Sequence, residues 1–201
     1  MLEITALACE RGGTRLFSDL SISLPPGGLL RVRGANGSGK TTLLRALAGL
    51  TRPAAGSIRW RGQPAGEDMR GEMLFLGHAP AIKDELTVLE NLEFSARLAG
   101  LTDADFQRAL ERFGIARLVD LPARYLSQGQ RKRTALARLA LSPNAALWLL
   151  DEPFAALDDR AIADVSSVCA AHLAAGGLLV LTSHQDVPIA APEARDIELR
   201  G

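Results

Sequence analysis

The sequence predicts an α/β fold in which helices cover a mainly parallel sheet, and two observations carry this prediction. The runs ALWLLDE and LLVLTSH are almost continuously apolar, which is typical of strands buried on both faces. Helical patterns alternate with them and with an earlier short strand, LLRVRG, which enters a glycine-rich turn. Strands that alternate with helices favour parallel pairing, and they place ligands at the carboxyl ends of the strands.

The other elements are justified in chain order. LEITALAC and FSDLSISL alternate apolar and polar residues, and we expect them to form N-terminal antiparallel strands. After LLRVRG a helix is expected over 40–50, ending near Gly49. GSIRW and GEMLFLG predict further strands, and the composition turns helical from 86 to about 140. The helix DRAIADVSSVCAAHLAAGG and the short strand DIELR complete the pattern.

Length and composition indicate one globular domain over residues 1–201. We expect its core to comprise approximately 1–85 and 143–201, with a helical subdomain inserted at approximately 86–142. Hydrophobic residues make up 47% of the chain and charged residues 23%, a balance that argues against disorder. Because 23 basic residues balance 23 acidic ones, electrostatics favour no nucleic-acid partner.

The two cysteines, Cys9 and Cys169, have neither metal-binding nor redox spacing, so we expect reduced thiols in apolar surroundings of a cytosolic protein. No apolar run approaches the roughly 20 residues that a membrane-spanning helix needs. The N-terminal MLEITALACERGG begins as a strand and not as a signal peptide. We therefore expect a soluble chain whose membrane role, if any, comes through a partner.

The segment GANGSGKT at 34–41 fits the pattern G-x-x-x-x-G-K-[ST] of a phosphate-binding P-loop, with a strand before it and a helix after it. Glycines allow successive main-chain N–H groups to point at phosphate oxygens, and the helix N-terminus adds its positive end. We expect Lys40 to reach the β- and γ-phosphates and the Thr41 hydroxyl to bind Mg²⁺. The predicted nucleotide-binding residues here are Gly34, Ala35, Asn36, Gly37, Ser38, Gly39, Lys40, Thr41 and Thr42.

Polar groups also follow the two buried strands, where the ligands of a parallel sheet collect. Asp151 is suited to an outer-sphere or water-mediated hold on Mg²⁺, and Glu152 to acting as the general base that polarises the attacking water. His184 can contact the γ-phosphate and position that water. Adjacent carboxylates are also common as solvated loop charges and a lone histidine as a structural residue, so these assignments depend on the P-loop. His172, within a helical pattern, is interpreted as structural.

A second helix start lies in LSQGQ, at 126–130. Ser127 and Gly129 precede a basic, apolar-periodic helix, and such an N-terminus attracts anions. One chain thus carries two segments suited to phosphate, far apart in the sequence.

The ordered set GANGSGKT, LSQGQ, LWLLDE, FAALD and TSH resembles the ATP-binding subunits of ABC transporters over essentially the whole chain. The resemblance implies the P-loop NTPase fold of an ABC ATPase, ATP and Mg²⁺ as cofactors, and a head-to-tail homodimer. Ser127, Gly129 and Gln130 then bind the γ-phosphate of the ATP held by the other subunit's P-loop. Asp158, in AALDD, resembles the loop that crosses this interface, and it also suits the N-cap of the following helix.

Three positions depart from the family pattern. Gln128 replaces the first glycine of the usual LSGGQ, which we expect to stiffen the loop without abolishing activity. Arg11 lies where the family stacks an aromatic ring on adenine, so either its guanidinium lies against the base or the base is held loosely. His78, counted back from LTVLENL, takes the place of the usual metal-sensing glutamine. It either approaches Mg²⁺ or is a surface turn residue.

CERGGTRLFSDLSISL, LGHAPAIKDELTVLENLEF and LSQGQRKRTALARL are similar to the ATP-binding subunits of the bacterial cytochrome c maturation system, the haem exporter ATPases, and the short chain after His184 fits that family. The resemblance implies a peripheral subunit docked on an integral-membrane ABC permease subunit at the cytoplasmic face of the bacterial inner membrane. ATP hydrolysis would there drive haem export or delivery together with haem-handling maturation proteins. No C-x-x-C-H occurs, so covalent haem is not expected on this chain.

Two alternatives stay open at this point. The chain could be the ATPase subunit of another ABC exporter, for lipids or drugs. It could instead be a regulatory module that senses ATP without hydrolysing it. The presence of Lys40, Thr41, Asp151, Glu152 and His184 argues against the second alternative, because a sensor has no need of a general base.

Overall fold

The computed structural model describes residues 1–142 and 144–199. The strands are β1 (Leu2–Arg11), β2 (Thr14–Leu24), β3 (Gly28–Gly34), β4 (Ala55–Trp60), β5 (Gln63–Pro64), β6 (Met73–Leu76), β7 (Leu147–Asp151), β8 (Leu178–Thr182) and β9 (Glu193–Leu199). The helices are α1 (Lys40–Leu47), α2 (Glu67–Gly71), α3 (Val88–Leu98), α4 (Phe106–Arg112), α5 (Gln128–Leu136), α6 (Arg138–Leu141) and α7 (Asp159–Ala174), with short 3₁₀ turns at Ala116–Leu118 and Ala123–Tyr125.

The main sheet has five parallel strands in the order β6-β7-β8-β3-β9. Every residue of β7 and β8 is buried, as their continuous apolar runs predicted. The strand order brings the carboxyl ends of β3, β7 and β8 side by side, and Asp151 pairs in register with Thr182. The predicted α/β fold with a mainly parallel core is confirmed.

A second sheet, antiparallel and of order β2-β1-β4-β5, comes mainly from the N-terminal part of the chain. The predicted N-terminal antiparallel strands are therefore confirmed. Between the two sheets lies one hydrophobic core, which contains the apolar residues of α1, among them Leu43, Leu44 and Leu47. The P-loop helix is thus held from both sides by apolar contacts.

The other face of the parallel sheet carries a second core, to which α3 to α7 contribute. Helix α3 begins at a capping box in which the Thr87 hydroxyl accepts from the Glu90 N–H and the Glu90 carboxylate accepts from the Thr87 N–H. Helices α3 to α6 fall within 86–142, but the division into a core and an inserted helical subdomain stays a prediction. Its second core segment begins at residue 143 and ends at residue 201, both outside the described residues.

The structure modifies two helix boundaries. Helix α1 ends at Leu47, three residues before the predicted 50, and Gly49 has a left-handed φ of 69° that carries the chain away from the helix axis. The helix that follows LSQGQ is divided at Ala137 into α5 and α6.

Cys9 and Cys169 are both unpaired and buried, as the sequence predicted. Burial raises the pKa of the Cys169 thiol to about 12, so this thiol stays protonated. Over the described part of the chain, no helix combines the length and the apolar character needed to cross a membrane.

Candidate active site

A cavity of about 520 Å³ opens where the carboxyl ends of β3, β7 and β8 meet. It brings together residues that the sequence scatters from position 11 to position 184. The predicted site residues that line it are Arg11, Asn36, Gly37, Gly39, Lys40, Thr41, Thr42, His78, Asp151, Glu152 and His184. The sheet topology explains this convergence, because parallel strands end at the same edge.

The loop between β3 and α1 is shaped by its glycines. Gly37 and Gly39 have left-handed φ values of 86° and 103°, which other residues rarely adopt. A Cβ on Gly34 would lie 2.6 Å from both the carbonyl oxygen of Leu199 and the Ser38 hydroxyl. A Cβ on Gly39 would lie 3.0 Å from the Phe17 ring. The loop can therefore wrap closely around a ligand only because these positions carry no side chain.

The position of Lys40 shows that this loop suits an anion. The Lys40 ammonium donates to the carbonyl oxygens of Gly34, at 2.7 Å, and Ala35, at 3.1 Å, so its charge lies over the loop. The Ser38 hydroxyl is buried and has no hydrogen-bond partner among the described residues.

Asp151 is held by two hydroxyl groups from different elements. The Thr41 hydroxyl, in α1, donates to Asp151 Oδ2 at 2.8 Å, and the Thr182 hydroxyl, in β8, donates to Asp151 Oδ1 at 2.7 Å. Asp151 is only 2% exposed. The carboxylate and the Thr41 hydroxyl are a hard oxygen pair of the kind that Mg²⁺ prefers, so these residues fit a magnesium ion bound beside the phosphates.

Glu152 follows directly and adopts an unusual main-chain conformation, with φ at 50°. Its N–H donates to the Thr182 hydroxyl at 2.9 Å, which anchors the strained residue to β8. Its Oε1 is buried, accepts no hydrogen bond from the residues that the structure describes and lies 3.5 Å from His184 Nε2. The His184 N–H reaches Glu152 Oε2 at 3.4 Å. The carboxylate thus keeps acceptor capacity at the cavity, which a general base needs.

His78 borders this cavity and also a neighbouring one of about 490 Å³, which lies between the parallel sheet and α5. Thr41, Asp151 and Lys132 line the second cavity too. His78 is exposed, and its position is compatible with either of its two sequence interpretations. Arg11 lies exposed at the rim of the first cavity, near the end of β1.

Sequence reasoning missed two residues at this site. Thr182 was hidden in an apolar strand pattern, and only strand pairing places it beside Asp151. Lys132 is buried in α5. Burial lowers the pKa of Lys132, and the nearby charges of Asp151 and Glu152 oppose that shift. A lysine in a basic helical run usually lies on the surface, so the sequence offered no signal for its burial.

The LSQGQ segment, the second segment suited to phosphate, lies outside the first cavity. Within the described chain, the residues that line this cavity do not include Ser127, Gly129 or Gln130. Ser127 is the N-cap of α5, and its hydroxyl accepts from the Gln130 N–H at 3.2 Å. The Gln130 side chain accepts in turn from the Ser127 N–H at 2.8 Å. Through this reciprocal capping box, Gln130 stabilises the start of α5, a structural role that was not predicted from the sequence.

Asp158 caps α7, as one of its two sequence interpretations proposed. Its carboxylate accepts from the Ala161 N–H at 2.9 Å and from Arg133 Nη2 at 2.6 Å. The main-chain bond from Ala161, and then the nearby Arg133, lower the pKa of Asp158. A Cβ on Gly129 would lie 2.9 Å from the Ala156 carbonyl oxygen, so the start of α5 packs directly on the segment before α7.

Comparisons with known proteins agree with this geometry. The family model described as ABC transporter matches residues 17–155. Curated relatives named cytochrome c biogenesis ATP-binding export protein CcmA are 52% identical in Aromatoleum aromaticum, over 96% of this chain and 92% of the relative, and 48% identical in Dechloromonas aromatica, over 99% and 100%. Among solved structures, a putative ABC transporter ATP-binding protein from Pyrococcus furiosus superposes with a TM-score of 0.84 at 25% identity, over 97% of this chain and 96% of that chain.

The fold and the site define an ATP-binding cassette, and the chain belongs to the ABC transporter family of ATPases. Within it, the chain belongs to the CcmA group of cytochrome c biogenesis ATP-binding export proteins. Both resemblances found in the sequence are therefore confirmed. The roles of the individual site residues remain predictions, which the geometry above supports.

Proposed function

We propose that this chain hydrolyses Mg²⁺-bound ATP to power a membrane complex for the biogenesis of c-type cytochromes. One observation carries the enzymatic part of the proposal. The side chains predicted to bind phosphate, hold Mg²⁺ and activate water converge on a single cavity; they are Lys40, Thr41, Asp151, Glu152 and His184. The similarity to CcmA proteins over nearly the whole chain supports the cytochrome part.

ATP binding would replace internal contacts with ligand contacts. Lys40 would exchange the carbonyl oxygens of Gly34 and Ala35 for the β- and γ-phosphates. Thr41 and Asp151 would hold Mg²⁺, which supplies positive charge to the phosphate oxygens when bound. Glu152 would take the proton of the attacking water, while His184 orients Glu152 and the γ-phosphate.

A second copy of the chain would complete each site. The anion-attracting start of α5 lies outside the cavity, so Ser127, Gly129 and Gln130 would reach the γ-phosphate held by another copy. Asp158, at the start of α7, is fastened to α5 through Arg133 and would lie near the same interface. We therefore propose a head-to-tail homodimer with two shared nucleotides.

The cavity beside His78 would receive the integral-membrane ABC permease subunit. Its lining includes Leu50, which is 64% exposed, together with Pro80 and Ala81. An exposed apolar side chain at the mouth of a cavity is suited to a partner's apolar segment. Since Thr41 and Asp151 line the same cavity, a partner that docks there could shift these two active-site residues. This arrangement implies a peripheral subunit at the cytoplasmic face of the bacterial inner membrane, with haem as the delivered species.

Complementation tests this function. In a bacterium lacking its own CcmA, the chain should restore covalently haem-bearing c-type cytochromes, detected by haem staining, and Lys40→Ala should not. Arg15→Ala, an exposed change in a surface ion pair, serves as the matched control and should behave as the parent. Equal restoration by the parent and Lys40→Ala would contradict a role for ATP. An active ATPase that restores nothing would favour an exporter of lipids or drugs.

A further inference from the structure

We propose that Thr182 is a positioning residue that holds the Asp151 carboxylate in one orientation, so that Oδ2 is the oxygen presented beside Thr41 for Mg²⁺. This inference rests on the proposed function, because it concerns metal binding at the proposed ATPase site. Nothing in the P-loop, the LSQGQ segment or the DE pair assigns a role to this threonine.

The contacts of Thr182 connect two predicted functional residues through one oxygen atom. Its hydroxyl donates to Asp151 Oδ1 at 2.7 Å and accepts from the Glu152 N–H at 2.9 Å. Thr182 itself is fully buried, at 0% exposure, and pairs in register with Asp151 across β7 and β8. Both of its hydrogen bonds therefore lie inside a sheet whose backbone is already held by parallel pairing.

The two oxygens of Asp151 consequently differ. Oδ1 is bound to Thr182, which belongs to the sheet, whereas Oδ2 is bound to Thr41, which belongs to the P-loop helix. A hydroxyl donor bound to Oδ1 stops the carboxylate from turning that oxygen toward the cavity. Metal-binding carboxylates are commonly oriented by such outer partners, whose loss reduces metal affinity.

The same hydroxyl also holds the main chain of Glu152. A glutamate with φ at 50° needs surrounding contacts to stay in that conformation, and its N–H has the Thr182 hydroxyl as acceptor. Valine at position 182 would keep the shape of threonine but remove both bonds. The Asp151 carboxylate would then be held by the Thr41 hydroxyl alone, and the Glu152 N–H would lack its acceptor.

The test compares the Mg²⁺ dependence of nucleotide binding in variants of the full chain. Binding of a fluorescent ATP analogue is titrated with Mg²⁺ for the parent, Thr182→Val, Thr182→Ser and Ser183→Ala. We expect Thr182→Val to raise the half-saturating Mg²⁺ concentration about tenfold, while metal-free nucleotide affinity is unchanged. Thr182→Ser keeps the hydroxyl and should match the parent. Ser183→Ala removes a hydroxyl whose hydrogen bonds, within the described part of the chain, go to Gln185, so it is the matched control.

Thermal unfolding of each variant separates positioning from a general loss of structure. If Thr182→Val does not fold, Thr182→Ala, which also removes the hydroxyl, takes its place in the comparison, with the same expected result. A parental Mg²⁺ half-saturation in Thr182→Val, or a defect in Thr182→Ser as large as that in Thr182→Val, would overturn the proposal. A parent chain that binds the analogue without any Mg²⁺ dependence would instead contradict the proposed function.

Discussion

At the residue scale, the charged groups of the site have provisional partners that a ligand would replace. Lys40 is bonded to two carbonyl oxygens of its own loop, and Asp151 to two hydroxyl groups. Glu152 differs, because only its Oε2 accepts a hydrogen bond, from the His184 N–H, while its buried Oε1 accepts none from the described residues. An unpaired carboxylate oxygen at a cavity is the feature expected of a group that accepts a proton during the reaction.

Replacing this oxygen tests the assignment. Glu152→Gln should lower the steady-state rate of ATP hydrolysis by about two orders of magnitude or more, because the amide cannot take up the proton of water. ATP binding should persist, so the variant should accumulate as an ATP-bound dimer in size-exclusion chromatography. Glu10→Gln, in an exposed pair with Arg15, is the control and should retain the parental rate. Parental turnover in Glu152→Gln would show that another group is the base.

A second prediction concerns His172, which stacks on Trp148 with ring centroids 3.8 Å apart and planes 4° from parallel. Burial lowers the pKa of His172, against a smaller opposite effect of its bond to the Leu178 carbonyl oxygen. The unfolded chain, with a histidine pKa of about 6.5, then binds more protons than the folded chain below that pH. The free energy of unfolding should therefore fall as the pH drops below about 6.5.

Urea unfolding between pH 8 and pH 5 measures this dependence. His172→Phe keeps an aromatic ring for the stack but removes the ionisable group, so it should lose this part of the pH dependence. An identical pH profile in the parent and in His172→Phe would contradict the assignment to His172.

At the element scale, α5 connects three parts of the molecule: the LSQGQ segment, the start of α7 and the cavity beside His78. Its first turn carries the LSQGQ segment, its Arg133 bonds Asp158 at the start of α7, and its buried Lys132 borders the cavity beside His78. Gly129 packs against the Ala156 carbonyl oxygen, so any side chain there would push α5 and the segment before α7 apart. A displacement at this helix start would be transmitted to the proposed dimer interface.

Gly129→Ala is predicted to weaken ATP-dependent dimer formation while leaving nucleotide binding by the single chain nearly unchanged. The physical reason is that the added methyl group would meet the Ala156 carbonyl oxygen at 2.9 Å, whereas Gly129 itself is not among the described residues that line the nucleotide cavity. Analytical ultracentrifugation with and without ATP measures dimerisation. Gly71→Ala introduces the same methyl group into open space and is the control. If Gly129→Ala dimerises like the parent, the start of α5 does not lie at the interface.

At the scale of the whole molecule, the separate positions of the P-loop and the LSQGQ segment predict that two chains share each reaction centre. A head-to-tail dimer has two equivalent composite sites, each made of one chain's P-loop and the other chain's LSQGQ segment. A chain defective in the P-loop and a chain defective in LSQGQ can therefore form one intact site together, although neither can do so alone.

Mixing two inactive variants tests this arrangement. Lys40→Ala and Ser127→Arg should each lack ATPase activity, and their equimolar mixture should recover about a quarter of the parental rate, since half of the randomly formed dimers carry one intact site. The measurement is ATP hydrolysis after co-refolding or co-expression of the two chains. Each variant taken alone through the same procedure is the control and should stay inactive. No recovery from mixtures shown to dimerise would contradict shared sites.

The sequence by itself determined the class of the protein and most of the residues at its cavity. This was possible because the chemistry of each motif is local: the glycines of the P-loop, the carboxylates after a buried strand and the helix start at LSQGQ depend on near neighbours in the chain. Continuous apolar runs likewise determined that β7 and β8 are buried, because burial on both faces requires them. Full-length family similarity added specificity that no single motif has.

Only the tertiary structure decided which polar groups support those motifs. Thr182 acts on Asp151 and Glu152 through strand pairing over a separation of about 30 residues, and Lys132 is buried because α5 packs over the sheet. Gly129 is needed where two distant segments touch, at Ala156. Contacts of this kind depend on how strands are ordered in the sheet and how helices pack on it. No local sequence pattern shows which residues, far apart in the chain, will come into contact.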